Sequence, residues 1–300
     1  MRAFRKIDAA ATVTALILEK LKTGTAPWVR PWSTTGMRPA RHNGLPYTGI
    51  NTLYLWAIAD ARGFTSPYWM TARQAAELGA QVRGGERHAI SVYYATAKRA
   101  GGQGLAGEQG DRRFRFLKCY AVYNADQIDG LPPHYHPEPA DCLNDPVEQR
   151  LGIEAFFDPV PVPVRHGGDR AYYSPSSDHI QLPRPRPFQA LDHYWSTPPH
   201  ECVHATGAQH RLKRQFGRRF GDKAYAFEEL VACLGQSFIS AELGLPASLH
   251  DSHASYIASW IDVLERDKTA IIHAAAKAEQ AVTWLRCCSA SEAAPLKIAA

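Results

Sequence analysis

A chain of 300 residues with 45% hydrophobic and 21% charged side chains can bury one large core or two modest ones, and its length favours two. No stretch approaches the ~18 apolar residues of a membrane span, no secretory signal opens the chain, and the six cysteines show no paired framework, so a reduced, cytoplasmic protein is expected. Charge divides the chain unevenly: residues 1–135 hold 18 Lys and Arg against 9 Asp and Glu, a net of +9, and the remainder is net −4.

Asp8 caps a predicted helix whose apolar Val13, Leu16, Ile17 and Leu21 recur at helical spacing, with Gly24 at its end. A proline-bounded loop follows, with Trp28 and Trp32 flanking Arg30, a setting that holds aromatic faces outward. Asn51 starts a second helix through Leu55 and Ile58, stopped by Gly63. Thr71 and Gln74 make a capping box for a short third helix ending near Gly79. The period then drops to two: residues 88–97 and 113–123 read as strands joined by Gly101-Gly102-Gln103-Gly104. On the second strand Arg113 and Arg115, with Lys118 grouped beside them, are expected to face outward, and Phe114 and Phe116 to share the other face. Positive charge attracts phosphate and aromatic faces stack on unpaired bases. The basic part, with 16 of the 31 aromatics, therefore favours single-stranded nucleic acid, even though most of those rings fill the core.

Pro132, Pro133, Pro137, Pro139 and Pro146 mark 131–146 as the linker, and the His134/His136 pair inside it reads as solvated rather than metal-binding. A helix after Asp145, short strands near 160–165, 171–173 and 178–182, and four helices to about residue 286 complete the pattern, with a frayed tail after Ser289.

His200-Glu201-Cys202-Val203-His204 names a chemistry. On a helix, residues four apart share a face, so both imidazoles can reach one metal ion, and Glu201 lies beside it where it can accept a proton from water. Thr197 can cap that helix, Pro198 and Pro199 suit its first turn, and Gly207 can close it. Two His leave a catalytic zinc one protein ligand short. Gly207 and His210 fall at metzincin spacing, but Met1, Met37 and Met70 all lie upstream, so no Met-turn follows. The better source is a helix from Tyr225 to about Gly244, with core stripe Leu230, Cys233, Leu234 and Phe238 and with Glu229 one step from it. A carboxylate there costs free energy unless paired, and a metal would pair with it. Glu228 stays open as the alternative ligand, and a solvated Glu pair is the competing reading. Tyr225, one turn before Glu229, is placed to stabilise an oxyanion, with His210 as an alternative.

Pro199-His200-Glu201-Cys202-Val203-His204-Ala205-Thr206-Gly207, His210-Arg211-Leu212 and Tyr225-Ala226-Phe227-Glu228-Glu229-Leu230-Val231-Ala232 together resemble the zincin-type metallopeptidase domain of ArdC-type antirestriction proteins. Pro27-Trp28-Val29-Arg30-Pro31-Trp32, Tyr47-Thr48-Gly49-Ile50-Asn51 and Thr71-Ala72-Arg73 resemble that family's single-stranded-DNA-binding domain. The resemblance implies an α+β chain of two domains: an N-terminal α+β DNA-binding domain over 1–130, then, after the 131–146 linker, a mainly helical zincin-like domain with a small sheet over 147–289, and a disordered 290–300 tail. It implies Zn2+ on His200, His204 and Glu229, catalysis by Glu201 and Tyr225, and DNA contacts from Trp28, Arg30, Trp32, Tyr47, Asn51, Arg73, Arg113 and Arg115. The function implied is protection of a plasmid's or mobile element's incoming DNA during conjugation, with a protein or peptide as further partner. The alternative is a single-stranded-DNA-binding accessory of a conjugative primase whose zinc is structural or inactive, against which Glu201 argues, since a structural site does not need it. One position departs from the family pattern: Cys233 stands where an acid usually follows the ligand Glu by four.

Overall fold

The carboxylate of Asp8 accepts the N–H of Ala11 and starts α1 (Ala9–Lys22) in the computed structural model, which describes residues 8–24, 37–98, 113–137, 146–184, 191–217, 223–245 and 256–292. After β1 (Ala40–Arg41), α2 (Ile50–Arg62) ends on Gly63, whose φ of 69° is the left-handed cap that glycine adopts without a Cβ clash. β2 (Tyr68–Met70) leads into α3 (Ala72–Glu77), where Thr71 and Gln74 form the reciprocal cap expected of them. β3 (Gln81–Val82), β4 (Ala89–Lys98), β5 (Arg113–Asn124) and β6 (Ile128–Asp129) follow. The main sheet runs β1-β2-β5-β4, with β4 and β5 a long antiparallel pair, and β3 pairs with β6.

The register sets Tyr93 opposite Lys118 and Ser91 opposite Tyr120, so Lys118 shares the face of Tyr120 and not that of positions 113 and 115, with which it was grouped. Trp28, Arg30, Trp32 and the glycine-rich connection lie outside the described residues, as do the side chains of Arg113 and Arg115. The start of the proline-rich stretch is not a free tether. Tyr135 is buried, its hydroxyl donates to the His42 carbonyl, and its own carbonyl accepts from Ser66. His134 packs on the Tyr135 ring, and His136 lies 3.2 Å from Asp126.

The second half holds α4 (Pro146–Phe157), a three-stranded sheet of order β7-β9-β8 from β7 (Val164–His166), β8 (Tyr172–Ser174) and β9 (His179–Leu182), then α5 (Leu191–Thr206), α6 (Lys223–Leu243), α7 (Ile257–Arg266) and α8 (Ala270–Glu292). Two boundaries differ from expectation. α5 begins at Leu191, so Thr197 is interior and Pro198 and Pro199 sit inside the helix, where they remove two backbone donors but keep a helical φ. α8 continues to Glu292, past the expected start of the tail.

One hydrophobic core runs through both halves. Val13, Ile17 and Leu21 of α1 and Leu53, Leu55 and Trp56 of α2 join Val203 of α5, Leu230, Leu234 and Phe238 of α6 and Trp260 of α7. Thr14 donates to the Lys268 carbonyl at 2.7 Å, tying α1 to the turn before α8. Arg38 crosses the same seam: it pairs with Glu242 at 2.8 Å and Glu279 at 2.5 Å and lies 4.7 Å from the Phe238 ring centroid. The helix that supplies Glu229 is therefore packed against the N-terminal half as well as its own.

Candidate metal centre

α5 and α6 lie close together because Gly235 lets them. A Cβ at Gly235 would stand 2.7 Å from Val203 Cγ2, and Val203, fully buried, separates His200 from His204 along α5. Alanine would improve helix propensity by about 0.5–1 kcal/mol, whereas overpacking a rigid contact costs about 1–3 kcal/mol, so the clash decides the sign. Gly235→Ala is expected to lower stability and to weaken metal binding together, seen in thermal melts and metal titrations. An unchanged metal affinity would show that the helix spacing does not set the site.

Across that contact the ligand atoms of His200, His204 and Glu229 lie within 4.8 Å of one another. The two Nε2 atoms are 3.1 Å apart, and each is 3.5 Å from a Glu229 oxygen. The outer nitrogens are held from behind, His204 Nδ1 by Glu228 at 3.3 Å and His200 Nδ1 by Gln236 at 3.3 Å. With a proton on each Nδ1 facing those acceptors, both Nε2 atoms are aimed inward, toward a carboxylate, where each can offer a lone pair once any proton on it is displaced. Three electron-pair donors converging in a buried space fit a cation, and nitrogen with oxygen suits a transition metal.

Charge supports the same arrangement. Burial pushes the Glu229 carboxyl up, but His200 and His204 outweigh it and hold it well below the usual range. Burial likewise pushes His204 down, yet Glu228 and Glu229 raise it to about 10. A dication entering the site therefore displaces a proton, and binding tightens as pH rises.

Glu228 turns away from the pair, so of the two carboxylates left open by the sequence Glu229 is the one grouped with His200 and His204 as able to hold an ion. Glu228 is clasped by Arg214, at 3.0 Å from Nε and 2.9 Å from Nη2, with both side chains buried. Arg214 also donates to Thr206 Oγ1 at 2.7 Å and to the Val203 carbonyl at 2.5 Å, closing the end of α5. Gly207 leaves room for this, since a Cβ there would meet Phe216 at 2.7 Å and Arg214 at 3.0 Å. It also stands directly after the last residue of α5, where the helix was expected to end, though without the positive φ of a left-handed cap.

Glu201 is 7% exposed beside His200 and bears on Cys233 and Tyr256. Burial, with Glu229 and Glu201, pushes the Cys233 thiol up, so it stays neutral. Tyr225 lies 3.2 Å from Tyr256, hydroxyl to hydroxyl, and burial first, then Tyr256 and Glu229, raises it, so it stays a hydrogen-bond donor. His210 lies elsewhere: it is exposed, 3.3 Å from Asp178, the carboxylate that Arg211 grips at 2.7 and 2.9 Å to pin the β8–β9 turn. Sequence reasoning missed Arg214, Gln236 and Tyr256 as members of the site. Only Gln236 carried a signal, because 229, 233 and 236 share one face of α6.

The expected DNA contacts are scattered. Tyr47 is buried beneath Arg41, 5.5 Å from its ring. Asn51 gives its amide to both backbone groups of Val92 at 2.8 Å, closing the open edge of β4. Arg73 is exposed and pairs with Glu77 at 2.9 Å. Among the described residues no helix is long and apolar enough to cross a membrane.

The zincin-like metallopeptidase family matches residues 152–277, and the N-terminal domain of anti-restriction factor ArdC matches residues 7–123. An uncharacterised Sinorhizobium fredii protein, y4eC, is 37% identical over 93% of this chain and 91% of its own length. DNA primase TraC of Escherichia coli is 36% identical over 89% of this chain, which spans only 26% of the primase. Among solved structures, metal-free antirestriction ArdC from the R388 plasmid superposes with a TM-score of 0.81 at 38% identity, covering 95% of this chain and 99% of that one. Its Mn(II)-bound form gives a TM-score of 0.78 at the same identity, covering 95% of this chain and 100% of that one.

Proposed function

The chain belongs to the ArdC family of antirestriction proteins, and from that premise we propose that it binds single-stranded DNA with its basic half and acts as a zinc-dependent peptidase with the other, protecting a plasmid's or mobile element's incoming DNA in the recipient cytoplasm during conjugation. The observation that carries the peptidase reading is the convergence of His200, His204 and Glu229 within 4.8 Å, with Glu201 buried beside them. Those three residues would hold zinc, which supplies Lewis acidity toward a peptide carbonyl and toward water. Glu201 takes one proton from the attacking water and delivers it to the leaving amine nitrogen. Tyr225, kept protonated by burial, donates to the oxyanion as the carbonyl becomes tetrahedral. With these three protein ligands among the described residues, a bound zinc would keep the open position that a catalytic site needs.

Zinc is favoured over manganese because two imidazoles and one carboxylate bind divalent ions with affinity rising from manganese toward zinc. One zinc per chain is expected from equimolar zinc and manganese, and His204→Ala should lose it, read by elemental analysis. Manganese retained against equal zinc would overturn the zinc assignment, and full zinc in His204→Ala would remove the site. The match to part of a primase supports a second reading, in which the same pair of domains serves a priming complex and its metal is structural. Hydrolysis of any peptide, lost in Glu201→Gln, would exclude it.

A further inference from the structure

Between the N-terminal sheet and α8 lies a cleft of about 1090 Å³, distinct from the metal centre and at the upper end of ligand sites, which run to about 1,000 Å³. One wall is the β4–β5 face, where Tyr93 and Tyr120 are 60% and 47% exposed, among the most solvated large hydrophobic side chains described. Trp284 of α8 lines the facing wall, alongside Gln280 and Thr283. Rings lining one open cleft can stack a flat ligand, and the Arg211 guanidinium, 5.8 Å from the Trp284 ring centroid, adds positive charge beside that ring. Charge selects its sign. Arg41 lines the cleft, exposed and with no acidic partner among the described residues. The carboxylate that also lines it, Glu279, is neutralised: one oxygen takes Arg38 at 2.5 Å and the Gly49 N–H at 2.9 Å, the other takes Arg38 at 3.2 Å. Rings, an uncompensated guanidinium and side-chain hydrogen-bonding groups along one groove match a base, its phosphate and its edge.

We infer that this cleft is where an unpaired segment of single-stranded DNA lies, its bases stacked between Tyr93 and Tyr120 on one side and Trp284 on the other and its backbone drawn by Arg41. The inference rests on the single-stranded-DNA reading above and extends it, since Trp284 and Gln280 belong to the metallopeptidase half. Duplex DNA does not fit, because its base faces are already covered by neighbours. The site therefore belongs to the whole chain, not to the basic half alone.

Binding of the full-length protein to a labelled oligothymidylate at low salt, followed by anisotropy, tests this. Trp284→Ala and the double variant Tyr93→Ala/Tyr120→Ala should each weaken binding at least about tenfold. Trp284→Phe, which keeps a ring and guards against a folding artefact, should bind within a few-fold of the parent, and Tyr172→Ala, at an exposed position of β8, should match it. Parental binding left intact by folded Trp284→Ala and by the tyrosine double variant overturns the cleft assignment while the DNA-binding reading stands. A parent that binds no oligothymidylate sinks that reading and this inference with it. Equal affinity for duplex of the same length, or equal displacement by a free mononucleotide, also overturns strand stacking in the cleft.

Discussion

Glu201→Gln is expected to bind metal as the parent does and to hydrolyse peptides about 10²–10⁴-fold more slowly. Among the described residues three carboxylates lie around the imidazole pair, and two are already committed. Glu228 is held by Arg214 and His204, and the Glu229 oxygens face both Nε2 atoms. The Glu201 side chain, in a residue 7% exposed, makes no hydrogen bond among the described residues, so its oxygens are the ones available to accept a proton from water. Glutamine fills the same space and cannot accept that proton, so fold and metal content are preserved while turnover falls. Elemental analysis alongside hydrolysis of a mixed peptide library measures both. Equal turnover by the two chains would remove Glu201 as the base. No turnover by either would move the metal to a structural role.

What the sequence made legible was local. The spacing of His200 and His204 fixes a shared helix face whatever else surrounds it, and Asp8, Thr71 and Gly63 satisfy or end a helix through their own backbone neighbours. The stripe Leu230, Cys233, Leu234 and Phe238 was equally readable, since periodicity reports that a face is buried. Periodicity does not report against what. Val13, Ile17 and Leu21 announce a stripe, but nothing in them says that it packs against α7, across the boundary drawn from charge. The proline pair was read as a helix start because proline suits that position, and α5 instead runs through it from Leu191. The partners that aim the imidazoles were least legible. Arg214 sits in a loop where many arginines would look alike, and Glu228 and Glu229 are told apart only by the roll of α6. Cys233, where the family's acid is missing, leaves neither imidazole unsupported, because Glu228 and Gln236 hold the two Nδ1 atoms.

Arg214→Met should destabilise the protein by about 3–5 kcal/mol, because removing one partner of a buried ion pair leaves the other charge uncompensated. Arg214 and Glu228 are 4% and 2% exposed, and the guanidinium also serves Thr206 and the end of α5, so five hydrogen bonds lose their donor. The loss depends on pH in a fixed direction. Burial pushes the Glu228 carboxyl up, but His204 and Arg214 bring it below its ordinary 4.5. A carboxyl depressed in the folded state stabilises above its unfolded pKa and loses that stabilisation as pH falls through its folded pKa. Without Arg214 the carboxyl rises, so the gap between parent and variant should be widest near neutral pH and narrow in acid. Urea melts across that range measure it. Arg214→Met with Glu228→Met replaces the pair by apolar side chains of similar length and should regain much of the stability. It should not regain the metal, because His204 Nδ1 has then lost the carboxylate that aims its lone pair, a loss of about 10–100-fold in affinity. A double variant that recovers stability and metal together would show that Glu228 serves the fold alone. Recovery of stability without metal would establish that one buried carboxylate holds the core on one side and sets the ligand on the other.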